Sequence, residues 1–205
     1  MSPKEVITPS IDRSRIVAPA VPANFISRKH LFYLFETGLP GVTVVAAPAG
    51  YGKTSLVAEW ALTRRDHLIW LTITESDSLQ DMSALFIQAT RNVIPGFAPW
   101  FEKEAGIRPV EIVRRWGNEL LATGKNFKFV IDNLREFTTK DVDISARLVE
   151  QFPSNLQFVT IRRDSIETVY AIFSSRGPLK VIGTPDLAFS ETEIETLASM
   201  HAIDY

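Results

Sequence analysis

Two rhythms alternate along this chain. Short apolar runs give way to stretches in which apolar residues recur every three or four positions. The runs are 42–47, 67–74 ("HLIWLTIT"), 127–131 ("FKFVI"), 156–161 ("LQFVTI") and the short 179–182, and they predict five buried strands. The helical rhythm starts at Ser27, with Leu31, Leu34 and Phe35 at i, i+3 and i+4, and stops at Gly38 and Pro40. It returns over 54–62, where Leu56, Val57 and Trp60 share a face, and over about 81–93, 109–121, 142–152 and 166–173. Pro109 suits a first helical turn, and Pro153 closes the helix before it. Ser190 and Glu193 have the spacing of a capping box and open a last helix. Strands alternating with helices predict an α/β fold, a parallel sheet covered on both faces.

The ends read differently. Met1 to Asn24 carries Pro3, Pro9, Pro19 and Pro22 and predicts an extended arm that wraps the domain or stays mobile. Residues 25–189 form the main domain. Residues 190–205 are expected to begin a further helical domain, because the pattern breaks off one step into a new element. Pro95, Gly96 and Pro99 mark a loop whose "FAPWF" is expected to be exposed.

Composition narrows the function. With 22 basic and 24 acidic residues the formal net charge is -2, so the fragment lacks the basic excess of a DNA binder and is expected not to bind DNA. Most of the paired basics, Arg64-Arg65, Arg114-Arg115 and Arg162-Arg163, are read as solvated helix ends. There is no cysteine, which fits a reducing compartment, and His30, His67 and His201 show no ligand spacing. No apolar run approaches the ~20 residues that span a membrane, and the N-terminus lacks the apolar core of a signal peptide.

The chemistry concentrates in "VTVVAAPAGYGKTSLVAEW", Val42 to Trp60. A β-branched run meets a glycine-broken turn and then a helix. Glycines let consecutive N–H groups converge, and a helix N-terminus adds partial positive charge, so Pro48, Ala49, Gly50, Tyr51, Gly52, Lys53, Thr54 and Ser55 read as a phosphate loop. Lys53 would reach the terminal phosphates and the Thr54 hydroxyl would ligate magnesium. A bare G-K-[ST] arises by chance about once in ten chains of this length. The strand-turn-helix context strengthens it, while Ala47 stands where the motif has its first glycine. "FKFVIDN" supplies an acid at a strand's C-terminal end, Asp132, to hold a magnesium ion or its water; a plain Asp-Asn turn is the alternative. Arg163 ends the next strand and would sense the terminal phosphate, or else simply starts a helix on the surface.

In order, "APAGYGKTSLVAEW", "WLTITESDS", "VIDN", "NLQFVTIRRD" and "GPLKVIGTPDLAFSETE" resemble the N-terminal ATPase module of MalT-like, large LuxR-type bacterial transcription regulators. These belong to the STAND class of signal-transducing P-loop ATPases, and the likeness runs from about Arg15 to Leu197. It implies a three-layer αβα P-loop NTPase of the ASCE type with a five-stranded, mainly parallel sheet. It implies Walker A roles for Lys53 and Thr54, a Walker B role for Asp132, and a sensor role for Arg163. "FISRKHL" is similar to the segment that holds adenine in this class, which puts Ile26 and Arg28 beside the base. The implied ligands are ATP (or ADP) and magnesium, and the implied setting is cytoplasmic. An inducer would act through domains outside this chain, and self-association would belong to the full-length protein. Asn133 departs from the pattern: the family has a second acidic residue there. Hydrolysis is therefore expected to be slow or absent, with Glu75 and Glu136 as substitute bases. A catalytic NTPase of another class and a scaffold that no longer binds nucleotide stay open as rivals.

Overall fold

The computed structural model describes residues 12–22, 24–63, 67–134, 139–163, 167–173 and 176–200. Five strands, β1 (Gly41–Ala46), β2 (Leu68–Thr72), β3 (Phe127–Asp132), β4 (Leu156–Arg162) and β5 (Leu179–Ile182), make one sheet in the order β2-β3-β4-β1-β5. Every neighbouring pair is parallel, so the sheet is wholly rather than mainly parallel. β1 lies between β4 and β5 and is buried along its whole length. That burial on both faces is why it reads as a continuous apolar run.

The helices are α1 (Lys53–Thr63), α2 (Leu79–Arg91), α3 (Pro109–Ala122), α4 (Thr139–Glu150), α5 (Glu167–Phe173), α6 (Thr184–Leu187) and α7 (Glu191–Met200). Successive residues of a strand face opposite sides, and the core divides accordingly. Val42, Val44, Phe127, Phe129 and Phe158 pack with apolar residues of α2, α3, α4 and α5. Val45, Val130, Val159 and Ile161 pack with Leu56, Val57 and Trp60 of α1 and with Leu31, Leu34 and Phe35.

Several local expectations are revised. The segment from Ser27 forms a 3₁₀ helix over Lys29–Phe35, because Glu59 of α1 accepts from the Ser27 hydroxyl (2.5 Å) and the Arg28 N–H (3.2 Å) and holds the entry. β2 ends at Thr72, since Asp77 accepts from the Thr74 N–H (2.6 Å) and folds residues 74–77 into a turn. "FAPWF" is not an exposed loop: Phe97 and Ala98 are buried. The Arg91 guanidinium donates to the Phe97 and Ala98 carbonyls at 2.8 Å each, and Glu119 accepts from the Ala98 N–H at 3.1 Å. Arg162 is no solvated helix end but lies fully buried in β4. Arg114 and Arg115 do sit on a helix surface, paired with Glu111. Arg64, Arg65, Glu136 and His201 lie outside the described residues.

The described part of the arm wraps the domain. It includes a 3₁₀ turn over Arg13–Ile16. Arg15 donates to the Thr72 carbonyl at 3.1 Å and pairs with Asp77. Ile16 packs on the aromatic side of the sheet, and Ala18 and Val21 pack on the α1 side. Ser190 and Glu193 form the expected capping box, with N–H bonds of 2.8 and 3.3 Å.

Candidate phosphate-binding site

The chain leaves β1 at Ala46 and enters α1 at Lys53 after six residues, so the turn between them is tight. Gly50 and Gly52 take φ of +90° and +68°, where a side chain would be strained. A Cβ added to either would meet no atom within 4 Å, so the space before the loop is open. Ala47 is not among the left-handed positions; it is buried, and its N–H donates to the Arg162 carbonyl at 3.5 Å. That explains how alanine stands where the motif has glycine. The helical ladder of α1 starts with the Leu56 N–H on the Gly52 carbonyl (2.9 Å), which leaves the N–H groups of the first turn for a ligand.

A pocket of about 340 Å³ opens here, lined by Ala49, Gly50, Gly52, Lys53, Thr54, Ser55 and Arg163. Lys53 is buried, and its Nζ donates to the Ala47 and Pro48 carbonyls at 2.6 and 2.7 Å. The ammonium is thus held back against its own loop. Tyr51 packs against the apolar cluster on the α1 side. The Thr54 hydroxyl donates to Asp132 Oδ1 at 3.3 Å, joining the start of α1 to the end of β3. Of the arginine pair ending β4, Arg163 is exposed in the pocket while Arg162 points into the core.

The charges explain what the pocket favours. Burial pushes the Lys53 ammonium below its ordinary value, Arg163 adds repulsion, and Asp132 partly offsets both. Burial also raises the Asp132 carboxyl, against the Thr54 hydroxyl, the Asn133 N–H, Lys53 and Arg163. Two cations face one carboxylate, so an anion there relieves the repulsion between Lys53 and Arg163. Thr54 Oγ1 and Asp132 Oδ1 are hard oxygen donors, the kind magnesium takes alongside phosphate oxygens and water. Among the described residues no three His, Cys, Asp or Glu side chains cluster as a metal site, so magnesium would depend on those phosphates.

The other expected residues are placed as follows. Asn133 has φ +60°; its N–H donates to Asp132 Oδ1 at 2.8 Å and its Nδ2 to the Ile73 carbonyl at 3.0 Å. It splints the ends of β2 and β3. Glu75 is exposed in the turn after β2. Ile26 is half-buried, and Arg28 is buried with its guanidinium on Glu193 (2.8 Å) and the carbonyls of Leu187 (2.9 Å) and Ala188 (3.1 Å). Sequence reasoning missed this cluster. Partners about 160 residues apart leave no local signal. A larger cavity, about 410 Å³, lies where β3 and β4 begin, between Phe35, Trp60, Phe127 and Gln157, at the end of the sheet away from the loop.

No family model matches the sequence. Solved structures do resemble the fold. The ORC1 protein of Aeropyrum pernix, solved in complex with DNA, superposes with a TM-score of 0.60 at 14% identity, covering 89% of this chain and 50% of that one. CDC6P from Pyrobaculum aerophilum gives 0.58 at 12% identity over 90% and 54%. The Aeropyrum pernix ORC2 protein, solved as ADPNP-ADP complexes, gives 0.54 at 14% over 91% and 56%. The fold matches that of these structures, an α/β fold on a five-stranded parallel sheet in the order β2-β3-β4-β1-β5. This chain spans about half the length of those structures, and at such identities the likeness establishes the fold alone. Among the described residues no helix is long and apolar enough to cross a membrane.

Proposed function

We propose that this chain is an ATP-binding switch module from a signal-responsive transcription regulator of the MalT-like, LuxR-type class, holding Mg-ATP and hydrolysing it slowly or not at all. The observation that carries the nucleotide part is the meeting of Lys53, Thr54 and Arg163 at one pocket, with Asp132 hydrogen-bonded to Thr54 behind it. Lys53 would turn from its loop carbonyls to the β- and γ-phosphates, Thr54 and Asp132 would hold magnesium, and Arg163 would contact the terminal phosphate. Ile26 would lie beside the base; with the Arg28 guanidinium engaged at Glu193, its part there would fall to the neighbouring backbone. Slow hydrolysis follows from Asn133, whose amide is no base at neutral pH and is tied to Ile73.

The regulator part rests on the ordered motifs from "APAGYGKTSLVAEW" to "DLAFSETE". A switch must bind its ligand differently in two states. Calorimetry with ATP and ADP, with and without magnesium, tests the nucleotide part; absence of binding sinks it. The regulator part fails if the natural reading frame encodes no C-terminal helix-turn-helix, or if this chain alone retards DNA sequence-specifically at ~150 mM salt, where phosphate contacts are weakened.

A further inference from the structure

Arg28 is 3% exposed, which is rare for an arginine and demands partners. Its Nε donates to Glu193 Oε1 at 2.8 Å and its two terminal nitrogens to the Leu187 and Ala188 carbonyls at 2.9 and 3.1 Å. Its guanidinium also lies 4.9 Å from the centre of the Phe189 ring. These contacts hold the whole 187–193 connection between α6 and α7. Glu193 is engaged twice, because the same carboxylate accepts from the Ser190 N–H at 2.8 Å and caps α7. Glu193 is also the buried residue of α7, so this ion pair is the principal buried anchor of that helix.

The other side of Arg28 faces α1. Its backbone N–H and the neighbouring Ser27 hydroxyl both bond Glu59. Glu59 stands six residues after Lys53 in the same helix, ~9 Å along its axis. Helix α1 therefore begins as the rim of the phosphate pocket and ends its second turn holding the residue that anchors α7.

We propose that Glu59, Arg28 and Glu193 form a latch that transmits the occupancy of the phosphate pocket, through α1, to the seating of helix α7. Arg28 and Glu59 act as positioning residues. The inference rests on the nucleotide reading above and gives that site an output. A phosphate group drawing Lys53 and the first turn of α1 toward itself shifts Glu59, and with it the backbone that carries Arg28. The guanidinium has three separate acceptors to satisfy at once, so a small shift loosens or tightens α7 in discrete steps. Ile194 and Leu197 are only half-buried, so little apolar packing opposes the change.

The test is amide hydrogen exchange over 191–200 in the 205-residue chain, with and without Mg-ADP or Mg-ATP, beside calorimetry on the same samples. In the parent protein saturating nucleotide should change α7 exchange at least fivefold. Glu59→Ala, which keeps a good helix former, should cut that response below twofold while nucleotide affinity stays within threefold. Glu59→Gln, which retains an acceptor, should restore at least half of it. Glu193→Gln should speed α7 exchange at least tenfold and make it indifferent to nucleotide, a second variant should Glu59→Ala fold poorly. Binding without any change at α7 overturns the latch and leaves the nucleotide site standing. A full response in Glu59→Ala overturns it also. Absence of binding overturns both.

Discussion

The two faces of the sheet use buried side chains in opposite ways. On one, Phe86, Trp116, Phe129, Phe152, Phe158 and Phe173 form a linked chain of rings with centroids 4.8 to 6.0 Å apart. The Trp116 Nε1–H donates to Thr90 Oγ1 at 2.7 Å, and the Thr90 hydroxyl in turn donates to the Phe86 carbonyl at 2.8 Å, so the indole N–H is settled internally. On the other face α1 and its apolar neighbours pack beside Lys53 and the Arg28–Glu193 pair, all buried. Asp132, at the end of β3, accepts from the Thr54 hydroxyl at the pocket's wall. Rings interlock in one arrangement and resist displacement. Buried charges need partners, and a bound ligand would offer them new ones. On the nucleotide reading proposed above, the ring-packed face, with Arg162 as its buried cation, would carry stability and the other face would carry response.

Four changes put that division to the test, and a fifth serves as a control. The largest effect belongs to Trp116→Ala, which should destabilise by ~3–5 kcal/mol, the range for truncating a buried aromatic. Urea melts would show it, and ATP affinity measured well below the melting temperature should be kept. Lys53→Ala is the mirror case. Losing a charge-assisted contact worth ~1.5–3 kcal/mol should weaken ATP about 10- to 150-fold by calorimetry and leave the urea midpoint nearly unmoved. A variant that binds ATP as the parent does would end the phosphate-loop reading.

The Glu193 anchor comes next, read through pH. Burial lifts its carboxyl, but the Ser190 N–H and Arg28 outweigh that and leave it below the ordinary glutamate value. His30 faces it too, with Nε2 at 3.9 Å from Oε1. A depressed folded value means the stabilisation is present above the unfolded pKa, about 4.3, and is lost as pH falls through the folded one. Exchange over 191–200 should therefore accelerate on acidification beyond the intrinsic rate change, and Glu193→Gln should remove that excess.

Asn133→Asp should raise single-turnover hydrolysis only a few-fold. Its carboxylate would meet the Ile73 carbonyl where an amide now donates, at a cost near the ~1 kcal/mol of one hydrogen bond. Running Glu75→Gln and Glu136→Gln alongside identifies a displaced base: fast parental hydrolysis lost in one names it, and fast hydrolysis surviving in both refutes the incomplete-site picture. The smallest effect is at Glu111, drawn down to about 2 by Arg114 and Arg115 on the surface of α3. Solvent screens such pairs, so Glu111→Gln should melt within the scatter of repeat scans.

Periodicity alone determined the five strands, the main helices and their α/β alternation, because burial on one face or two imposes a spacing that can be read locally. The glycine-broken turn before α1 and the Ser190–Glu193 cap were equally legible, since each is closed by residues within six positions of one another. What tertiary structure decided has the opposite character. The fates of Arg162 and Arg163 differ only because β4 is sandwiched between β3 and β1 and turns one of two adjacent arginines into the core. Phe97 and Ala98 of "FAPWF" became core because Arg91 and Glu119, from two different helices, satisfy their backbone. Arg28 went to α7 because the chain returned to it 165 residues later. Local sequence encodes which faces are apolar and which turns can close; only packing decides which distant polar groups meet, since a buried charge takes whatever partner the fold delivers.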